Sequence, residues 1–138
     1  MIKLAPICLF AYNRLEETKK TLAALQQNNL AKESELFVFS DGWKNKQGKE
    51  KIIAVRKFLK QIKGFKKVTV FESETNKGLA NSIISWVTQI IAKYDKVIVL
   101  EDDLITSSNF LDFMNQALKF YQDNEKIFSI SGFSMDLK

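Results

Sequence analysis

Four apolar residues, Val97-Ile98-Val99-Leu100, run straight into three acids, Glu101-Asp102-Asp103. No other stretch limits the possible folds as sharply. A short continuous apolar run, mostly β-branched, reads as a strand buried on both faces, the environment of a parallel sheet. Open α/β sheets place their ligands beyond the carboxyl ends of the strands, where these acids fall. Three adjacent carboxylates repel one another and resist burial unless a cation is present. The junction therefore predicts a site for a divalent metal and a nucleotide, with other strand ends supplying its cradle.

The rest of the chain has the alternation that such a sheet needs. Pro6–Tyr12 is an apolar run of strand length, followed by polar Asn13-Arg14. Leu15, Thr18, Leu22 and Leu25 then mark one helical face, with Glu16 and Glu17 in the first turn where the helix dipole favours acids. Glu35–Ser40 reads as a second strand, and Asp41-Gly42 is a turn signal immediately after it. A polar loop from Lys44 to Gly48 leads into a basic helix that Gly64 ends, and Lys67–Phe71 is a third strand. After Asn76-Lys77-Gly78 comes an amphipathic helix with Leu79, Ile83, Ile84, Val87, Ile91 and Tyr94 on one side. Beyond the acidic strand, Thr106-Ser107-Ser108 offers capping hydroxyls to a helix with Phe110, Phe113, Met114, Ala117, Leu118 and Tyr121 on its apolar face. Lys126–Gly132 reads as one more strand. The order β-α-β-α-β-α-β-α-β predicts a single α/β domain over residues 1–138, with a mainly parallel sheet flanked by helices.

Composition removes several kinds of chemistry. The chain has no His and a single Cys, which excludes a disulfide framework, a thiolate zinc site and any His-based triad. Cys8 lies inside an apolar run and is expected in the core. No apolar stretch approaches the ~20 residues of a membrane span, and Pro6 with no cleavage site behind it favours a strand over a signal peptide. A soluble cytoplasmic protein is expected. Residues 44–67 hold ten Lys or Arg against one acid, Glu50, so this segment carries +9 and the remainder −4. Ile52, Val55, Leu59 and Ile62 recur at helical spacing there, so an amphipathic helix with a solvated basic face is the first expectation. Peripheral contact with an anionic inner membrane surface is the second, and nucleic acid the least favoured.

Every predicted strand end carries polar residues: Asn13-Arg14, Asp41-Gly42, Thr75–Gly78 and Glu101–Asp103. In a parallel sheet these ends share one edge, and together they suit a polyanionic ligand with a metal. Neither a dinucleotide Gly-x-Gly-x-x-Gly nor a Walker loop is present. Phosphates would be neutralised by the metal, helped by Arg14 or Lys77. Alternation along an extended strand puts Glu101 and Asp103 on one face and Asp102 on the other. A hard cation such as Mg²⁺ or Mn²⁺ takes one or two carboxylates, with phosphate oxygens and water completing its shell.

With these stretches in hand, the sequence resembles the nucleotide-sugar-binding half of GT-A-fold glycosyltransferases. It looks most like the N-acetylglucosaminyltransferase that begins complex N-glycans and the bacterial sugar transferases related to it. The likeness rests on Pro6–Arg14, Phe39–Gly42, Val97–Leu104, Ser107–Leu111 and Ile130–Ser134, in that order and spacing. It implies a Rossmann-like GT-A domain that binds a UDP-sugar donor with Mn²⁺ or Mg²⁺ and transfers the sugar to the hydroxyl of a sugar or glycan acceptor. Glu101-Asp102-Asp103 matches the family's Asp-x-Asp-type motif, which implies that Asp103 holds the metal while Glu101 and Asp102 approach the ribose. Arg14 matches a position that meets the nucleotide diphosphate, with Tyr12 and Asn13 beside it also expected at the donor; Asp41 matches a position that reads the uracil ring, and Asn76-Lys77-Gly78 resembles a loop near base and ribose. Family members continue into an acceptor-binding half that carries the catalytic base. The resemblance therefore implies that 1–138 is the donor-binding piece of a longer enzyme, able to bind without turning over alone. No residue is assigned as base, and Asp136, the sole acid after Glu125, is not promoted to that role. Two other readings stand beside this one. Mg²⁺-dependent nucleotidyl transfer lacks its usual Gly-rich basic loop after the first strand. A non-enzymatic module would use residues 44–67 on membrane or nucleic acid.

Overall fold

The computed structural model describes residues 3–133. Its centre is a four-stranded, all-parallel sheet: β1 (Ile7–Ala11), β2 (Glu35–Ser40), β3 (Lys67–Glu72) and β4 (Ile98–Glu101), in the order β3-β2-β1-β4. β1 and β2 are interior strands, so both faces of each are covered and every residue of β1 is buried. That is why they are written as unbroken apolar runs. Cys8 pairs with Phe37 on one side and Val99 on the other, and Phe10 with Phe39 and Glu101. Strand alternation then divides the core in two. Ile7, Leu9, Leu36, Val38, Ile98 and Leu100 face α1 (Leu15–Gln26), α2 (Lys49–Leu59) and α4 (Phe110–Tyr121). Cys8, Phe10, Phe37, Phe39 and Phe71 face α3 (Leu79–Tyr94) alone.

On this second face the contacts are largely aromatic. Trp86 of α3 lies 4.7 Å from Phe39 and 4.9 Å from Phe71, and Phe10 stacks on Phe39 at 5.2 Å. Pairs of this geometry contribute about 0.5–1.5 kcal/mol each beyond simple burial. Cys8 is fully buried, and burial pushes its thiol pKa up to about 12, as suits a core residue and not a nucleophile. Among the described residues no helix is long and apolar enough to cross a membrane.

Three expectations about the elements are corrected. Lys126–Gly132 forms no strand among the described residues: Phe128 is 99% exposed, and nothing pairs with the free edge of β4 there. A strand needs a partner edge, and β propensity alone does not supply one. The inward face of α3 is carried by Ser82, Ile83, Trp86, Val87, Ile90 and Tyr94, whereas Leu79, Ile84 and Ile91 are exposed. The helix is rotated because Trp86 docks on the phenylalanines of β2 and β3, leaving the β4 side of this face open. Finally, the hydroxyls of Thr106–Ser108 do not cap α4. Asn28, buried at the end of α1, accepts a hydrogen bond from Leu111 N at 2.9 Å and donates to Thr106 Oγ1 at 3.1 Å. A cap 83 residues away in sequence satisfies the orphan donor of α4. Ser134 and Asp136 lie outside the described residues.

Candidate functional site

Because all four strands are parallel, the segments following them emerge at one edge of the sheet. They surround a cavity of about 380 Å³ between the sheet and the start of α3. Its rim carries Tyr12, Asn13 and Arg14 from the β1 end, Asp41 and Lys44 from the β2 end, Asn76 and Gly78 from the β3 end, and Glu101 and Asp102 from the β4 end. Its interior is apolar and aromatic, with Phe10 and Phe39 below and Leu79 and Trp86 on the α3 side. Eight of the ten residues expected at a nucleotide site line it. The other two, Lys77 and Asp103, stand just outside.

Arg14 organises the acidic side. Its guanidinium donates to Asp102 Oδ1 and, at 3.3 Å, to Asp103 Oδ2. The hydrogen bond from Arg14 to Asp102, its charge attraction to Asp102, and then Asp103 hold the guanidinium charged still more firmly than usual. Asp102 is 3% exposed and also accepts a bond from Tyr12 N at 3.4 Å, while its carbonyl takes the Thr21 hydroxyl at 2.8 Å. Its buried charge is thus paired, as burial of a carboxylate demands. Asp103 differs: its side chain is 42% exposed. Glu101 follows strand alternation onto the α3 face beside Phe10 and lines the cavity. The strand ends at Glu101, and Asp102 and Asp103 form a turn closed by Leu104 N to Glu101 O.

Asp41 ties two loops together. Its Oδ1 accepts from Gly42 N and Lys77 N, both at 2.9 Å, and its Oδ2 from Lys77 N at 3.1 Å and Gly78 N at 2.9 Å. Asn76 Nδ2 reinforces the tie with a 2.8 Å bond to Gly42 O. The Lys77 ammonium lies over the Trp86 ring, 5.9 Å from its centre. The negative carboxylate also sits at the N-terminal end of α3, where the helix dipole favours it.

Sequence reasoning missed several participants. Trp86 and Ser82 were overlooked because the expected stripe of α3, right at Ile83, Val87 and Tyr94, was set toward Leu79, Ile84 and Ile91 instead. Arg56 was assigned to a solvated basic surface, yet its side chain is only 12% exposed. It donates to Ser40 Oγ, Ser40 O, Asp41 O and Ser73 O at 2.9–3.3 Å, fastening the ends of β2 and β3 under the rim. Its position four residues after Ile52 and three before Leu59, both buried, was the available signal.

Among the described residues no three His, Cys, Asp or Glu side chains cluster as a ready-made metal site. Arg14 pairs with both Asp102 and Asp103, so two carboxylates face one guanidinium at the β4 end. Asp103, the more exposed of the two, would offer its carboxylate to a hard cation, whose remaining shell would come from ligand and water oxygens.

No protein-family model matches the chain, and no curated protein sequence matches it. Solved structures do. The crystal structure of S. aureus TarS, a glycosyltransferase, superposes with a TM-score of 0.62 at 17% identity, covering 87% of this chain and 20% of that one. The structure of S. aureus TarS 1-349 gives 0.60 at 15% identity, covering 87% of this chain and 33% of the other. The fold is an α/β domain with an all-parallel sheet flanked by helices, similar to part of these TarS structures. It spans a fifth to a third of the length of these neighbours. At such identity the likeness speaks for the fold, and does not single out the enzyme that begins complex N-glycans.

Proposed function

We propose that this chain is the donor-binding domain of a metal-dependent glycosyltransferase, holding a UDP-sugar in the cavity at the strand ends. The observation that carries this reading is the meeting of four strand-end segments around one cavity with an aromatic interior and a charged rim. A planar nucleoside suits the interior. A diphosphate suits the rim, where Arg14 and Lys44 supply positive charge and the acids supply ligands for a cation. The TarS likeness supports the glycosyltransferase class, and the match of Pro6–Arg14 and Val97–Leu104 to GT-A enzymes supports UDP and Mn²⁺ or Mg²⁺.

A bound divalent cation supplies Lewis-acid neutralisation of the departing diphosphate. This chain's own residues hold and orient the donor. Asp102 fixes Arg14 at the rim, Asp41 holds the Asn76–Gly78 loop in place, and Asp103 offers carboxylate to the cation. In the reaction the acceptor oxygen bonds to the anomeric carbon as the bond to the diphosphate breaks. The hydroxyl proton passes to a base to which no residue here is assigned.

Thermal shift and calorimetry test this directly. UDP at a hundred times its Kd in Mn²⁺ should stabilise the protein by about 2.7 kcal/mol. The gain should vanish in chelator or in Asp103→Asn, while Asp103→Asn alone leaves the unliganded melting temperature nearly unchanged because the side chain is half exposed. Absence of any shift with every nucleoside diphosphate and metal tried would sink the proposal.

A further inference from the structure

Resting on the donor-site reading above, we propose that Ser82 is the residue that hydrogen-bonds the nucleobase edge inside the cavity, and that Asp41 is a positioning residue for the loop. Ser82 lies one turn into α3, is 5% exposed, and lines the cavity between Leu79 and Trp86. Its Oγ has no hydrogen-bond partner among the described residues. A hydroxyl within a helix commonly bonds back to the carbonyl four residues earlier, as buried Thr18 does to Arg14 O and exposed Thr88 does to Ile84 O. Ser82 does not, although its backbone N–H keeps the helical bond to Gly78 O at 3.0 Å. An orphaned buried hydroxyl calls for an explanation. A ligand with a polar edge, set among Phe10, Phe39 and Trp86, provides one.

Asp41 is the residue to which family resemblance gives the reading of the base. A carboxylate offers about four acceptor positions, and three backbone N–H groups make four contacts with this one. Its capacity is taken up in joining the β2 end to the loop before α3. Ser82 is a buried polar side chain of the cavity whose hydroxyl has no partner among the described residues. A hydroxyl both donates and accepts, so it serves either uracil or cytosine and adds affinity for the ring more than choice between the two.

The test measures affinity for UDP, CDP and inorganic pyrophosphate, each with Mg²⁺, in wild type, Ser82→Ala, Ser82→Cys and Asp41→Asn. Ser82→Ala should weaken UDP and CDP together by about three- to tenfold and leave pyrophosphate unchanged. Its unliganded melting temperature should not fall, since an unpaired hydroxyl is removed. Ser82→Cys, nearly the same size, should weaken both nucleotides similarly and decides the matter if the alanine variant folds poorly. Asp41→Asn should melt lower without changing the UDP to CDP affinity ratio. Wild-type affinity for UDP in both Ser82 variants overturns the proposal while leaving the donor-site reading intact. So does an equal loss for pyrophosphate, or a changed UDP to CDP ratio in Asp41→Asn. A wild-type protein that binds no nucleoside diphosphate overturns both.

Discussion

Replacing Gly42 with alanine should destabilise this domain far more than a turn glycine ordinarily would. Gly42 does not need the left-handed backbone region; it needs the absence of a Cβ. An added Cβ would stand 2.5 Å from the Thr75 carbonyl carbon, 2.8 Å from Thr75 O and 2.9 Å from Asn76 N. Restoring an ordinary carbon separation of ~3.5 Å means moving that backbone by roughly 1 Å. The segment cannot drift freely, because Ser73 N is bonded to Ser40 O at 2.9 Å, Asn76 Nδ2 to Gly42 O, and Lys77 N and Gly78 N to Asp41. Overpacking of about 1–3 kcal/mol, together with at least one weakened hydrogen bond of about 1 kcal/mol, gives an expected loss of about 2–4 kcal/mol. At about 3 °C per kcal/mol for a domain of this size, the melting temperature should fall by about 6–12 °C. Gly48→Ala is the control: its Cβ would meet only Asn45 Oδ1 at 3.7 Å, with the backbone already helical. That change should stabilise by about 0.4–1 kcal/mol. Urea midpoints at constant m-value measure both. A Gly42→Ala protein within about 0.5 kcal/mol of wild type would refute the packing of the β2 end against the 73–78 loop.

Two further expectations follow from single side chains. Asn28→Ala removes the acceptor for Leu111 N and the donor to Thr106, so it should destabilise by about 1–3 kcal/mol. Asn28→Asp, which keeps the acceptor, should lose less, and equal urea midpoints for the two would contradict the long-range cap. Cys8 gives a pH signature. Its folded pKa of about 12 lies above its ordinary 9.0. Below pH 9 both states keep the proton and no stability is lost; between about 9 and 12 only the unfolded chain ionises. Stability should therefore decline through that window by up to about 1.4 kcal/mol per pH unit from this group. Cys8→Ala should show a correspondingly shallower alkaline slope, and identical slopes would show that the thiol does not contribute.

The strands were legible in the sequence because burial on both faces removes the need for polar residues anywhere along them. Ile7–Ala11 and Glu35–Ser40 could be marked out for that reason alone. Lys126–Gly132 has similar β-forming composition and forms no strand, since pairing depends on an edge that composition does not describe. The inner face of α3 was misjudged for a related reason. Ile84 and Ile91 are as apolar as Ile83 and Ile90, and only the position of Phe39 and Phe71 across the gap decides which stripe Trp86 brings inward. Arg56 shows the same limit in a charged residue: a cation on a basic helix reads as solvated until four oxygens are seen around it.

For the opening junction, Val97–Asp103, sequence by itself determined that a buried parallel strand ends in acids at the ligand edge of an α/β sheet. Hydrophobic patterning is local, so it survives in one dimension. The separate roles of the acids depended on tertiary structure. Arg14, from the segment between β1 and α1, neutralises Asp102, which lies buried against α1, while the following turn leaves Asp103 half in water. The unpaired hydroxyl of Ser82 and the filled carboxylate of Asp41 are likewise invisible in the chain. Hydrogen-bond satisfaction depends on what the fold brings within about 3 Å, and no residue carries that information alone.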